Sequence, residues 1–88
     1  VRTICKYELA PYPEPTVLDL PKGSEPIHVG VQNHVIYVWV EIANELSTKR
    51  CNCVFHVVDT GSQIRSSWNY IGTVFQGPFV RHIYYDYD

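Results

Sequence analysis

The chain has 88 residues, room for one domain and no more, and its seven Tyr, three Phe and two Trp give that small domain large side chains to bury. A net charge of −2, a pI near 6.0 and no basic cluster larger than Lys49-Arg50 argue against binding a nucleic-acid polymer, and the acidic, aromatic end from Tyr84 to Asp88 would repel phosphate. Three cysteines, an odd count without framework spacing, argue against a secreted disulfide scaffold and fit a reducing cytoplasm; no segment approaches the ~18 apolar residues of a membrane span, and none has a signal-peptide pattern.

Thr3 to Leu9 alternates loosely and reads as a first strand. Pro11, Pro13 and Pro15 follow at every second position, which forbids helix and predicts an extended, polyproline-like connector. Thr16 to Leu20 is a short second strand, and Pro21-Lys22-Gly23 turns the chain, with Gly23 supplying a positive φ. Ile27 to Gln32 alternates, with Ile27, Val29 and Val31 on one face and His28, Gly30 and Gln32 on the other. Asn33-His34 has the form of a two-residue hairpin turn. Val35 to Ala43 is apolar on both faces and reads as the longest strand, at the centre of a sheet.

Asn44 to Lys49 is polar and reads as a surface loop; a helical turn over Glu41 to Leu46 lacks an apolar stripe to continue it. Arg50 to Val58 is a strand, Asp59 to Ser67 a loop, Asn69 to Phe75 a strand, Gly77-Pro78 a turn and Phe79 to Tyr85 the closing strand. Residues 1–88 therefore read as a single all-β domain, an antiparallel sandwich or small barrel of six to seven strands.

The string Asp59-Thr60-Gly61-Ser62 matches the active-site signature of retropepsin-like aspartic proteases, in which two carboxylates from a homodimer share a proton and activate water. Spacing counts against that chemistry. Fifty-eight residues precede Asp59 and 29 follow, whereas the signature of a retroviral-type protease falls in the first third of its chain. Only ten residues lie between Gly61 and Gly72, too few for a flap hairpin. The competing structural reading is a turn in which Asp59 and Thr60 bond nearby amides.

Cys51-x-Cys53-x-x-His56 resembles part of a zinc site, but strand alternation puts the two thiols on one face and the imidazole on the other, so buried apolar thiols are expected and no metal. No catalytic residue and no cofactor are assigned; the expected protein is not an enzyme.

The order of several short segments carries a resemblance. They are Leu20-Pro21-Lys22-Gly23, Ile27 to Asn33, Tyr37-Val38-Trp39-Val40, Phe55 to Gly61, Tyr70 to Gln76 and Val80-Arg81-His82-Ile83. Together they resemble a small β-rich domain of unknown function found in tailed-phage and prophage genomes. In that family a Gly-Thr-Gly followed by His-Pro stands where this chain has Asp59-Thr60-Gly61-Ser62-Gln63. The resemblance thus implies that Asp59 is no part of a family-wide catalytic device, and that a histidine contact at the loop is altered here. It also implies a viral accessory protein in a host cytoplasm.

The expected function is binding, in an anti-defence inhibitor that forms a homo-oligomer. The partner is either a host protein or a small signalling nucleotide. For a host protein the exposed tail Tyr84, Tyr85, Asp86, Tyr87 and Asp88 would supply the anchors. For a nucleotide, bases would stack on Tyr37, Trp39 or Trp68, phosphate would meet Arg65, and Thr60, Gly61 and Ser62 would line the pocket. The loop from Thr60 to Ser67 is the best site on general grounds, since binding residues gather on loops held by a rigid scaffold.

Overall fold

A computed structural model describes residues 1–43 and 49–88. Among the described residues seven antiparallel strands run in order: β1 (Thr3–Glu8), β2 (Thr16–Pro21), β3 (Glu25–Gln32), β4 (Val35–Ile42), β5 (Arg50–Asp59), β6 (Asn69–Gln76) and β7 (Phe79–Tyr87). They form two sheets, β1-β4-β3 and β2-β5-β7-β6, packed face to face. The molecule is 17 Å across its thinnest axis, which suits two layers about 10 Å apart and not a closed barrel.

Alternation in sequence becomes alternation in burial. On β4, Ile36, Val38, Val40 and Ile42 point inward and are buried, while Tyr37, Trp39 and Glu41 form the outer row. On β5, Cys53, Phe55 and Val57 point inward, facing the same core. Each such aliphatic contributes roughly 1.5–3 kcal/mol by leaving water. The two sheets touch closely at β3 and β6, where Val29 lies against Gly72.

Both expected turns at the β2–β3 and β3–β4 connections are present. Gly23 has φ of 93°, and Asn33 and His34 have φ of 52° and 65°, the mirror-image turn that matches strand twist. β4 is central in its sheet, as its two apolar faces predict.

Several expectations are corrected. The Pro11–Pro15 connector is not extended: Glu14 N–H donates to the Pro11 carbonyl at 3.0 Å, closing a turn that contains a cis Tyr12–Pro13 bond. Ile27 does not join Val29 on the inner face. The register of β3 shifts between Pro26 and His28, and the bulge turns Ile27 outward to 44% exposure. β5, not β4, is the longest strand, and Asp59 is its last residue rather than the first of a loop. β7 continues through the tail to Tyr87, because Cys53 and Val54 supply backbone partners for Tyr87 and Asp86. Glu41 and Ile42 belong to β4, so the helical turn does not begin there; its positions 44–46, and all of the Asn44–Lys49 loop but Lys49, lie outside the described residues.

Candidate functional site

The outer face of β5, β7 and β6 carries two linked side-chain networks. With Cys53, Phe55 and Val57 facing in, β5 turns His56 and Val58 out. With Arg81, Ile83 and Tyr85 facing in, β7 turns out His82, Tyr84 and Asp86. Register places His56 opposite Tyr84 and Val58 opposite His82 on one side, and Tyr70 opposite Tyr84 and Thr73 opposite His82 on the other. Six strand positions, three to a row, thus form two neighbouring rows.

Two connected networks fill those rows. In the first, His82 bridges two hydroxyls: Thr60 Oγ1 lies 2.7 Å from Nε2 and Thr73 Oγ1 2.9 Å from Nδ1. Tyr70 Oη extends the chain, 2.6 Å from Thr73 Oγ1. Each hydroxyl can donate or accept, so a neutral imidazole is satisfied at both nitrogens. In the second, His56 Nε2 sits 2.8 Å from Asp86 Oδ1, and Trp68 stacks on the imidazole with centroids 3.7 Å apart and planes 7° apart. Tyr84 ties the two together, edge-on to Tyr70 at 5.4 Å and tilted to Trp68 at 6.4 Å. Hydrogen bonds and stacking fix these side chains before any partner arrives, which reduces the entropy lost on binding.

Beside this lattice is an open hollow of about 200 Å³, lined by Thr60, Gly61, Ser62, Ile64, His82 and Tyr84 among others. Four predicted site residues, Thr60, Gly61, Ser62 and Tyr84, therefore meet at one place, with Trp68 standing close by on His56. Arg65 does not join them: it is exposed in the loop, its carbonyl accepting the Trp68 N–H at 3.1 Å, and it is no part of the hollow's wall.

Tyr85 is a correction. It faces the core and packs on Phe55, 6.1 Å between ring centroids, and burial raises its phenol above the usual range. The same alternation divides the tail, so its five residues are not one surface. Tyr84 and Asp86 point out, while the Tyr87 hydroxyl turns under the sheet to donate to the Ser24 carbonyl at 3.0 Å. Tyr37 and Trp39 lie on the outer face of the other sheet, with Lys6 Nζ 4.5 Å from the Tyr37 ring centroid and the His28 and Trp39 rings 5.6 Å apart, and cannot form one pocket with Trp68.

Asp59 has a definite structural employment. It pairs across the strands with Arg81 and accepts a hydrogen bond from its Nη1. The guanidinium is gripped between Tyr12 at 4.3 Å and Phe79 at 4.6 Å. A hydrogen bond to Asp59 and the charge of that carboxylate raise the Tyr12 phenol above its usual range, although Arg81 works in the opposite sense. A carboxylate held this way is fitted to neutralise a buried arginine, not to share a proton with a second carboxylate.

All three cysteines carry free thiols. Cys53 is fully buried, and that burial, with lesser help from Cys51 and Asp86, pushes its thiol up to about 12. Such a thiol is a poor nucleophile. Among the described residues no three His, Cys, Asp or Glu side chains converge as metal ligands would. A second cleft of about 320 Å³ lies at the far end of β5, walled by Lys22, Ser24, Cys51 and Tyr87, and Tyr87 is the one expected anchor that reaches it.

Residue types alone missed His56, Tyr70, Thr73 and His82. The signal was available for two of them: the inward apolar phase of β5 and β7 forces His56 and His82 onto the face that holds Tyr84.

Fold and face define a β-sandwich domain whose four-stranded sheet presents an ordered aromatic and histidine surface. The chain belongs to a family described as a domain of unknown function (DUF7352), whose pattern it matches over residues 1–88. No curated protein and no solved structure matches it.

Proposed function

We propose that this is a non-enzymatic binding domain that engages a protein partner through the outer face of β5, β7 and β6, with the loop after Thr60 as its rim. The observation that carries this is the pre-ordered lattice of His56, Trp68, Tyr70, Thr73, His82 and Tyr84 on an open sheet surface, where Tyr70 remains 57% exposed. Interfaces are anchored by tyrosine and tryptophan held in fixed rotamers. A protein is favoured over a small nucleotide on size. The hollow at Thr60–Ser62 holds about 200 Å³, below the roughly 300 Å³ at which small-molecule sites begin. The ion pair between Asp59 and Arg81 supports a non-enzymatic reading over an aspartic protease. Within the same proposal, the resemblance to a phage domain points to a bacterial host protein as partner and to inhibition of a defence system in the host cytoplasm.

The test is quantitative co-purification from cells of the source, comparing the wild type with Tyr70→Ala and Tyr84→Ala on this face and Ile4→Ala on the other. One protein should be enriched with wild type and Ile4→Ala and fall by about tenfold or more with either tyrosine variant, as for an interface anchor. Equal loss with Ile4→Ala, or enrichment of nothing, would end the proposal. A thermal shift with cyclic nucleotides, in place of an enriched protein, would move the assignment to the nucleotide.

A further inference from the structure

The two sheets leave four edge strands, β1, β3, β2 and β6. Edges present unpaired backbone amides and carbonyls, and proteins that stay monomeric blunt them with charge, proline or bulges. Three of these edges are blunted. β1 carries Lys6 and Glu8. β2 carries Asp19, which binds Arg50, and ends in Pro21. β3 opens with Glu25 and Pro26 and then bulges.

β6 differs. Asn-Tyr-Ile-Gly-Thr-Val-Phe-Gln contains no charge and no proline. Its one irregularity, between Tyr70 and Gly72, lies near its start, and from Gly72 to Gln76 the strand is regular. Thr, Val and Phe are strong strand formers. Large apolar side chains stand beside this edge: Phe75 is 72% exposed and Phe79, opposite Gln76, 54%. These are the features of an edge built to be paired.

We infer that β6 pairs antiparallel with β6 of a second copy of this chain, joining two four-stranded sheets into one. The regular segment Gly72–Gln76 is symmetric about Val74. A two-fold axis there sets Thr73 of one copy opposite Phe75 of the other and Gly72 opposite Gln76, and keeps outward residues on the outer face and inward ones on the inner. A two-fold axis brings like residues near like, so a charged edge would repel itself; this edge has no charge to repel. The second copy would cover Phe75 and extend the sheet so that the two aromatic faces lie side by side. The inference goes beyond the proposed partner binding and does not depend on it.

The experiment uses the purified chain alone, so its failure is separate from failure to find a partner. Light scattering should give twice the 10.2 kDa chain mass for the wild type. Phe75→Lys should give the single-chain mass at the same concentration with an unchanged far-ultraviolet dichroism spectrum, and Val17→Lys, on the opposite edge of the same sheet, should remain double. In the wild type, hydrogen exchange of the Gly72–Gln76 amides should slow as concentration rises while that of Thr16–Pro21 does not change. A wild type of single-chain mass throughout, a Phe75→Lys variant that stays double, or exchange at β6 indifferent to concentration would overturn the inference.

Discussion

Gly72 occupies a contact between the layers where a side chain has no room. A Cβ there would lie 2.7 Å from Val29 Cγ2, and Val29 is buried, β-branched and stiff. Gly72→Ala should therefore lower unfolding stability by about 1–3 kcal/mol, the usual cost of overpacking, read by urea denaturation; an unchanged midpoint would mean that the sheets separate easily there. Asp59 is the second residue with a checkable role. Its pairing with Arg81, whose Nε is buried with no hydrogen-bond partner among the described residues, makes it a structural counter-ion. Asp59→Asn should cost about 1–3 kcal/mol, toward the lower end because the Asp59 side chain is 39% exposed. Asp59→Asn combined with Arg81→Leu should recover part of that loss. If the double variant is as unstable as the sum of both changes, the two residues are not a unit.

At the scale of elements, the hairpin between β3 and β4 fixes register for the three-stranded sheet. His34 adopts φ of 65°, a region that side chains tolerate poorly and glycine occupies freely. His34→Gly should leave stability unchanged or raise it by up to about 1 kcal/mol, while His34→Val should lower it by roughly 1–2 kcal/mol, in thermal melts run side by side. Equal effects would show that the turn does not control the hairpin. Strands like β4 were legible because alternating Ile, Val and aromatic residues match the two-residue period of a sheet, and Asn33-His34 was legible because Asn favours such turns. The bulge at Ile27 was not, since nothing in its residue type announces an extra residue. The turn at Pro11–Glu14 was not, because alternating prolines read equally as an extended rod. Tyr84 and Tyr85 show the limit most clearly: composition groups them, and strand parity sends one to solvent and the other to the core. The contacts of His82 with Thr60 and Thr73, and of Arg81 with Asp59, depend on register between strands far apart in the chain, which a local reading cannot supply.

For the whole molecule, a buried thiol and a partly covered phenol couple folding to alkaline pH. Burial pushes the Cys53 thiol from 9.0 up to about 12 and, with the help of neighbouring acidic groups, the Tyr87 phenol from 10.0 up to about 12. Between those values the folded chain holds protons that the unfolded chain releases, so stability falls as pH rises. Their contribution should be complete below pH 9 and be lost progressively toward pH 12, seen as a declining urea midpoint, and Tyr87→Phe should make the decline shallower above pH 10. A midpoint that rises over that interval would contradict the burial of Cys53 and the partial covering of Tyr87. The sandwich itself has a division of labour. One sheet face makes the core with its opposite number, and the outer face of the larger sheet holds an ordered array that the core does not need.

The proposal that this array is a protein-binding face is open to a direct measurement. A photo-crosslinking amino acid is placed at Tyr70, on the outer face of the four-stranded sheet, or at Ile4, equally exposed on the outer face of the other sheet, and each protein is irradiated in cells of the source. A discrete crosslink to a different protein from position 70, with none from position 4, is the result predicted; crosslinking to another protein from position 4 alone, from both positions alike, or only to a second copy of the chain, would contradict the assignment of the binding face.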